Sequence, residues 1–246
     1  MALERIDKII ASTGKWSRSE AKDLIRFHRV LADGQAVHRG EEKFDPETTR
    51  ITVAGQEISY RAFTWVMLHK PAGLLSATED RRAATVLDLL SPELKRLELF
   101  PVGRLDKDSE GLLLLTDDGA TAHRLLSPKH HVEKEYYVEV AGCLTDADAA
   151  RFSEGMLLSD GLQCQKAKLK ILAAGETSTA LVTVHEGKFH QVKRMLADCG
   201  KTVTYLKRIR MGNLTLDESL KKGEYRLLSA EELALLPGAE EIKGQI

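Results

Sequence analysis

The N-terminal quarter of the chain shows two helical patterns followed by short strands. Ile6, Ile9 and Ile10 recur at the spacing of one helix face. A second helix is expected after Ser17, because a serine three residues before a glutamate forms the capping-box pattern that starts many helices. Residues 30–37 then predict two short strands around an Asp-Gly turn. This part of the chain is therefore expected to form two helices and a β-hairpin.

The rest of the chain contains more strands than helices. Short apolar segments predict strands at 50–53, 64–68, 112–115, 136–140, 167–172, 180–185, 203–206 and 225–228. Helical patterns lie at 85–90, 120–126, 145–155, 189–199 and 231–236. These elements do not alternate in βαβ order, so we expect an α+β fold with a mixed, mainly antiparallel sheet. Residues 55–61 have the composition of a linker, which places a boundary near Ser59 between units of residues 1–58 and 62–246.

One polar loop interrupts the apolar pattern. Gly103 and Gly111 flank a segment with three acidic and two basic residues, directly before the four leucines at 112–115 that predict a buried strand. An Asp-Asp-Gly turn at 117–119 ends that strand. A polar loop held beside a buried strand is a common position for reactive side chains. A salt-bridged turn without chemistry is an equally good interpretation of the loop by itself.

Composition changes this picture less than the distribution of charge does. The 246 residues carry a formal net charge of −1, and three scattered cysteines suggest free thiols in a reducing compartment. No apolar run approaches the ~20 residues of a membrane helix, so we expect a cytoplasmic, monomeric protein with no membrane association. Residues 1–39 carry eight Lys or Arg against five Asp or Glu, and residues 186–210 carry seven against two. Two basic islands on a nearly neutral chain favour contact with nucleic-acid phosphates.

The second predicted helix carries one of these basic groups as a stripe. Arg18, Lys22 and Arg26 fall at i, i+4 and i+8, on the side opposite to the apolar residues of the helix. A solvated helix face is the ordinary interpretation of such a stripe, and contact with phosphates is the other.

Residues 103–119, GRLDKDSEGLLLLTDDG, resemble the central motif of the RNA pseudouridine synthases. They are most similar to the RsuA branch, whose members act on ribosomal RNA, and the resemblance extends over nearly the whole chain. It implies a catalytic domain of the pseudouridine synthase type at 62–246. In that family the aspartate of the Arg-Leu-Asp triplet is catalytic, and here this aspartate is Asp106.

The N-terminal unit resembles the small RNA-binding module first described in a ribosomal small-subunit protein. The matching residues are Arg5-Ile6-Asp7-Lys8, Ser17-Arg18, Ala21 and Arg29-Val30. His28 stands where that pattern usually has glycine. The resemblance implies RNA contact by the basic side chains of Arg5, Lys8, Arg18, Lys22, Arg26 and Arg29.

The same resemblance implies further site residues. Tyr136 aligns with a family tyrosine that packs on the target base and can relay the C5 proton. In the third motif, HQVKR at 190–194, the basic residue that pairs with the catalytic aspartate is Lys193, where arginine is frequent. Arg194 is the second candidate for that pairing and also fits RNA phosphate contact. The substrate pocket is assigned to Arg104, Gln191 and Leu206.

Without the resemblance, these residues have ordinary interpretations. Tyr136 is then an aromatic residue of a strand, Leu206 belongs to the core, and the lysine and arginine at 193–194 form a basic helix face. Lys70 opens a Lys-Pro-Ala-Gly loop that resembles an early family motif. We expect it to be a turn lysine without a chemical role.

The chemistry that the resemblance implies requires few groups. Conversion of uridine to pseudouridine breaks the N1 glycosidic bond, turns the base and rejoins it through C5, so no metal or cofactor is required. The site must hold the base outside the helix stack. It also needs a carboxylate, which we assign to Asp106, and a cation that keeps this carboxylate ionised when buried. Attack on the sugar, attack on the base and assisted loss of the base all stay open.

The expected substrate is one uridine of small-subunit (16S) ribosomal RNA, either free or within an immature small ribosomal subunit. Residues 127–136, SPKHHVEKEY, resemble the RsuA branch and end at the pocket tyrosine, Tyr136. Three alternatives stay open. They are the same reaction on large-subunit (23S) RNA, a non-catalytic RNA-binding protein of ribosome assembly, and a metal-dependent phosphodiesterase that uses Asp106, Asp108, Asp117 and Asp118.

Overall fold

The structure, a computed structural model, describes residues 3–237. The first two residues and residues 238–246, which are the outer ends of the two expected domains, lie outside the described residues. Within the described part, no helix is long and apolar enough to cross a membrane.

The N-terminal elements form two small sheets and one hydrophobic cluster. They are β1 (Glu4–Arg5), α1 (Ile6–Ala11), α2 (Arg18–Arg26), β2 (Val30–Ala32), β3 (Gln35–Ala36), β4 (Lys43–Phe44), β5 (Ile51–Val53) and β6 (Gln56–Ile58). β1 pairs with β4, and the other strands form an antiparallel sheet in the order β3-β2-β5-β6. Ile6, Ile9 and Ile10 are fully buried and pack with Ala21 and Val53. The apolar face of α1 therefore covers this sheet, as its spacing predicted.

Local signals in this part predicted most of its elements. Ser17 accepts a hydrogen bond from the Glu20 backbone N–H, and the Glu20 carboxylate accepts from the Ser17 N–H, so the predicted capping box starts α2. His28 adopts a φ of 54°, the left-handed conformation that explains why similar modules have glycine at this position. The linker predicted at 55–61 is partly wrong, because residues 56–58 form β6. Ala54 occupies the turn before β6 at a φ of 50°, a conformation that alanine does not signal.

The larger sheet has nine strands. They are β7 (Trp65–Lys70), β8 (Phe100–Pro101), β9 (Glu110–Thr116), β10 (Lys134–Ala141), β11 (Lys168–Ala173), β12 (Thr177–Val184), β13 (Thr202–Met211), β14 (Leu214–Thr215) and β15 (Tyr225–Leu227). Their order is β11-β12-β10-β13-β9-β7-β15, with β14 on β13 and β8 on β9. Only β13 and β9 pair in parallel among the described strands, so the sheet is mainly antiparallel, as predicted.

Short helices pack around the sheet. They are α3 (Pro92–Lys95), α4 (Gly119–Leu126), α5 (Asp146–Glu154), α6 (Gln191–Asp198) and α7 (Ala230–Leu233), with 3₁₀ turns at Val86–Leu89 and Pro128–His130. The helices predicted at 120–126, 145–155 and 189–199 occur as α4, α5 and α6, with ends shifted by up to two residues. Such shifts are ordinary for helix ends.

The four consecutive leucines of β9 are explained by burial on both sides of the sheet. Leu113 and Leu115 belong to the larger hydrophobic cluster, on the face that α5 and α6 cover, whereas Leu112 and Leu114 pack on the opposite face against α4. A strand that is covered on both faces has no polar alternation. This strand therefore lies at the centre of the domain and carries the polar loop at its start.

Gly111 is the point at which that loop enters the sheet. Its φ is 106°, and a Cβ atom at this position would lie 2.1 Å from the backbone oxygen of Arg208 on β13. Gly111 and Arg208 are register partners in the parallel pair of β9 and β13. Only glycine permits both this backbone conformation and this close approach. The residue thus joins the two halves of the large sheet immediately behind the loop.

We predict that Gly111→Ala destabilises the protein by at least about 2 kcal/mol, from backbone strain and the forced contact with Arg208. In a chain of this size the melting temperature should fall by roughly 4–8 °C, measured by calorimetry. Gly223 is the matched control, since it also has a positive φ, of 89°, but a Cβ added there would meet no atom within 4 Å. Gly223→Ala should cost only ~1 kcal/mol. Equal losses would show that close approach is not the reason for Gly111.

Candidate active site

The polar loop at 103–109 is held in place from behind by a buried lysine. Lys70 is the last residue of β7 and has no exposed surface. Its Nζ donates to the backbone oxygens of Ser109 at 2.8 Å and Asp106 at 3.0 Å, and also to those of Pro71 and Lys107. These bonds satisfy three carbonyls of the loop at once, so the ammonium group determines the conformation of the loop.

A second clamp acts one residue before Asp106. The Ser76 Oγ accepts from the Leu105 N–H at 3.1 Å and donates to the Leu105 carbonyl at 2.9 Å. The N–H of Gly73 donates to the Lys107 carbonyl at 2.7 Å. The segment after β7 therefore fixes the backbone on both sides of Asp106.

The expectation that Lys70 is an ordinary turn lysine is wrong. The side chain is enclosed, and burial lowers its pKa from 10.5 to about 8, although the charges of Asp106, Asp108 and Glu110 act in the opposite direction. The sequence did carry a signal, since a lysine that ends an apolar strand before Pro-Ala-Gly has little access to solvent. Lys70 is a positioning residue for Asp106.

The cation in contact with Asp106 is the one that the resemblance implied. Lys193 Nζ lies 3.1 Å from Asp106 Oδ2 and 2.5 Å from Asp108 Oδ1. Burial acts to lower the pKa of Lys193, but its hydrogen bonds to Asp108 and Asp106 outweigh burial and raise it. Lys193 therefore keeps its charge beside the Asp106 carboxylate. His190 completes the group, with its Nε2 at 3.5 Å from Asp106 Oδ1.

Asp108 has a link to the site that the sequence did not indicate. Its side chain is 75% exposed, and its hydrogen bond to Lys193 lowers its pKa. Two carboxylates thus share one ammonium group. The pair with Asp108 is solvated and the contact with Asp106 is more enclosed, since the Asp106 side chain is 26% exposed.

One pocket brings together the predicted residues from four distant parts of the chain. It is lined by Arg104, Asp106, Tyr136, Gln191 and Leu206, together with His190, Lys188, Glu186 and neighbouring apolar residues. Tyr136 on β10 and Leu206 on β13 are 9% and 6% exposed and lie on adjacent strands. Arg104 is an exposed residue of the loop. Tyr137 faces the other side of the sheet, where its ring contacts Tyr205.

Gln191 lines the pocket, but its polar atoms are engaged by the protein. Its Nε2 donates to Glu186 Oε1 at 2.7 Å, and its Oε1 accepts from the Lys188 N–H at 3.1 Å. Glu186 in turn accepts from the Gln165 N–H at 2.9 Å. Gln191 therefore stabilises the turn that leads from β12 into α6, and it shapes the pocket wall through this turn.

Arg194 does not reach Asp106. Its Nε donates to Asp160 at 2.9 Å, its Nη2 makes a second contact with the same carboxylate, and its Nη1 donates to the Phe189 carbonyl at 3.2 Å. Of the two basic candidates in the third motif, only Lys193 contacts Asp106.

Some basic residues of the N-terminal unit form ion pairs within the unit. Arg5 and Arg18 both contact the fully buried carboxylate of Asp7, at 2.9 Å and 3.2 Å. Burial acts to raise the pKa of Asp7, and the hydrogen bonds from these two arginines outweigh it and lower the pKa. Two further ion pairs in this unit join Lys8 with Glu4 and Arg26 with Asp23. Lys22 and Arg29 are exposed.

The four acids of the phosphodiesterase alternative do not form one group. Asp106 and Asp108 precede β9, whereas Asp117 and Asp118 follow it, and a strand of seven residues separates the two pairs by roughly 20 Å. Asp118 caps α4 by accepting from the Thr121 N–H, and Asp117 accepts from the Thr64 N–H. Within residues 3–237, no three His, Cys, Asp or Glu side chains are grouped to hold a metal ion.

Known proteins resemble the chain in sequence and in fold. Residues 64–198 match the family described as RNA pseudouridylate synthase. An uncharacterized RNA pseudouridine synthase of Bacillus subtilis, YtzG, is 46% identical over 94% of this chain and 98% of its own length. Ribosomal small subunit pseudouridine synthase A of Vibrio cholerae is 40% identical, again over 94% and 98%. A crystal structure of a pseudouridylate synthase covers 95% of this chain and 99% of its own, with 37% identity and a TM-score of 0.67.

The chain therefore belongs to the RNA pseudouridylate synthase family. It is an isomerase that converts uridine in RNA to pseudouridine.

We predict that Lys70→Met leaves the protein folded but lowers the single-turnover rate at least tenfold, because the loop carbonyls lose their common donor and Asp106 shifts. RNA affinity should change little. In the parent, the rate should also fall as pH rises through about 8, where Lys70 loses its proton. Rates are measured from pH 6 to 9 for both proteins. A variant that retains the parental rate, or the same fall near pH 8, would contradict the role of Lys70.

Proposed function

We propose that the enzyme is of the RsuA type and converts one uridine of small-subunit (16S) ribosomal RNA to pseudouridine, with Asp106 as its catalytic carboxylate. The observation that carries the chemical part is the 3.1 Å contact of Lys193 with Asp106, a residue that lines the same pocket as Tyr136. The name of the Vibrio cholerae relative, which refers to the ribosomal small subunit, supports the choice of RNA.

In this proposal the flipped uracil lies between the side chains of Tyr136 and Leu206. Both residues are largely buried and line the pocket, so they offer the base apolar surface in exchange for the stacking that it loses on leaving the helix. Arg104 is exposed beside the pocket, where it can contact a phosphate next to the flipped nucleotide or fill the gap in the helix.

The reaction then needs no atoms from outside the substrate and solvent. The bond from N1 to C1′ breaks, the bond from C5 to C1′ forms, C5 loses a proton and N1 gains one. Lys193 places its positive charge 3.1 Å from the Asp106 carboxylate, and the carboxylate acts on the sugar or on the base. The Tyr136 hydroxyl is the group in the pocket wall that can relay the proton from C5.

The segment at 127–136 supplies the choice of target in this proposal. Lys134 is the register partner of Val184, which lines the pocket together with Tyr136. The end of the segment therefore lies at the pocket wall. The ring of His185 next to Val184 contacts the carbonyl of His131 at 3.1 Å. Lys129 and His130 are exposed and can contact RNA around the target.

The N-terminal unit of residues 1–58 completes the proposal as an RNA-binding module beside a catalytic domain of residues 62–246. Lys22, Arg26 and Arg29 are exposed cations for phosphate contact, and Lys8 and Arg18 are exposed as well. Arg5, Lys8, Arg18 and Arg26 also contact acidic residues. Arg194 adds phosphate contact near the pocket. The partner is ribosomal RNA, free or within an immature small subunit.

We predict that Asp106→Asn abolishes isomerisation, because the substitution keeps the shape of the side chain and removes its charge and nucleophilicity. Melting temperature and RNA affinity should stay close to those of the parent. Asp108→Asn is the matched control, since it removes the other carboxylate on Lys193, and it should reduce the rate less than about tenfold. Rates of pseudouridine formation within tenfold of the parent for Asp106→Asn would mean that another residue carries the chemistry.

We predict that a strain without this protein lacks pseudouridine at one position of small-subunit RNA and regains it with the parent gene but not with Asp106→Asn. Pseudouridines are mapped across both ribosomal RNAs. The purified enzyme is then offered each RNA, free and in immature particles. A missing pseudouridine only in large-subunit RNA would reject the target and leave the enzyme class intact. An unchanged modification map in both RNAs would reject ribosomal RNA as substrate.

A further inference from the structure

Phe189 is an exposed aromatic residue directly beside the pocket. It is 75% exposed, the highest value among the large hydrophobic residues in the described part of the chain. Single exposed hydrophobic residues are common and carry no meaning by themselves. Phe189 differs from other exposed residues because its ring stacks on His190, which contacts Asp106 in the polar loop.

The ring of Phe189 stacks on the ring of its neighbour. It stacks on the ring of His190 with a centroid distance of 3.8 Å and an interplanar angle of 19°. The Phe189 carbonyl accepts from Arg194 Nη1, and Arg194 is itself anchored on Asp160. His190 adopts the left-handed conformation, with φ of 50°, at the start of α6. An exposed ring with a stacking partner on one side loses less conformational freedom when a ligand stacks on it than a ring without such a partner.

The ring is also close to the reacting group. His190 lines the pocket, and its Nε2 is 3.5 Å from Asp106 Oδ1. Phe189 therefore lies one stacked ring beyond the pocket wall. A base that stacks on Phe189 belongs to a nucleotide next to the one in the pocket, because the two positions are separated by only the His190 ring.

Cations that can contact a polynucleotide lie close to Phe189 in the chain, and each of them also has an acidic partner. Lys188 precedes it and lines the pocket, and Lys193 and Arg194 follow it on the first turn of α6. When the target uridine leaves the helix stack, its neighbour loses a stacking partner. Aromatic side chains that stack on unpaired bases are a general means of RNA recognition.

We infer that Phe189 is a stacking platform for the base of a nucleotide that flanks the target uridine. This inference rests on the activity of the enzyme on RNA and not on which ribosomal RNA is the target. Stacking is largely independent of base identity, so the platform adds affinity and holds the strand in register with the pocket.

The test is a thermodynamic cycle that combines Phe189→Ala with removal of a flanking base from an RNA fragment containing the mapped uridine. Binding is measured in the Asp106→Asn background, which prevents turnover, with the intact fragment and with fragments that lack the base on the 5′ or the 3′ side of the uridine. Phe189→Ala should weaken binding of the intact fragment by about five- to a hundredfold. Removal of one flanking base should weaken the parent equally and should add almost nothing in Phe189→Ala.

Two further variants separate stacking from apolar contact. Phe189→Trp should retain affinity, whereas Phe189→Leu should lose most of it, since leucine keeps apolar surface without a π face. Leu157→Ala is the control for an exposed apolar residue of the same domain, which is 66% exposed, and should bind like the parent. Melting temperatures should be unchanged in all of them.

Additive losses from Phe189→Ala and base removal on both sides of the uridine would overturn the inference, as would unchanged affinity in Phe189→Ala. The outcome is distinguishable from failure of the proposed target. If the modified uridine lies in large-subunit RNA, the same cycle is run on that fragment, and only the target assignment is lost. If the cycle is additive while small-subunit RNA is modified normally, the platform is rejected and the proposed function stands.

Discussion

The geometry of the pocket depends on the hydrogen bonds between the buried ammonium group of Lys70 and the carbonyls of the polar loop. A cation away from water is stable only when acceptors surround it, and backbone carbonyls away from water need donors. The hydrogen bonds from Lys70 to the carbonyls of Asp106, Lys107 and Ser109 satisfy the cation and the carbonyls together. Since Lys70 ends one central strand and Glu110 begins another, these hydrogen bonds tie the loop that carries Asp106 to the sheet.

In front of the loop, the balance of charge is set by one lysine between two carboxylates. The contact with Asp108 is short but exposed, and solvated ion pairs contribute about 1 kcal/mol or less. The contact with Asp106 is 3.1 Å long and more enclosed. Lys193 thus bridges the two carboxylates, and its hydrogen bond to Asp108 lowers the pKa of that exposed carboxyl.

Some basic residues of the N-terminal unit stabilise its fold. Arg5 and Arg18 neutralise a carboxylate that is completely buried, and removal of either would leave Asp7 with an incomplete set of partners. Lys22 and Arg29 remain exposed. A count of positive charges along a helix therefore overstates the number that are available to RNA, because part of the charge stabilises the fold.

The sequence by itself determined the elements whose signals are local, and the residues of the pocket motifs. The capping box at Ser17, the apolar face of α1, the doubly buried leucines of β9 and the helices α4, α5 and α6 follow from spacing within a few residues. Asp106, Tyr136, Lys193 and Leu206 were chosen from motif resemblance, and the structure brings them to one site. Their chemical roles remain predictions.

Only the tertiary structure decided which polar residues are enclosed and which partner each one takes. β13 extends to Met211, well past the predicted end at 206, because β9 and β10 on its two sides accept a polar stretch that alone resembles a loop. Lys70 donates to the carbonyl of Ser109, 39 residues away in the sequence, and Lys193 donates to Asp108, 85 residues away. Hydrophobic periodicity reports how one element is buried, whereas the partner of a buried charge is set by long-range packing.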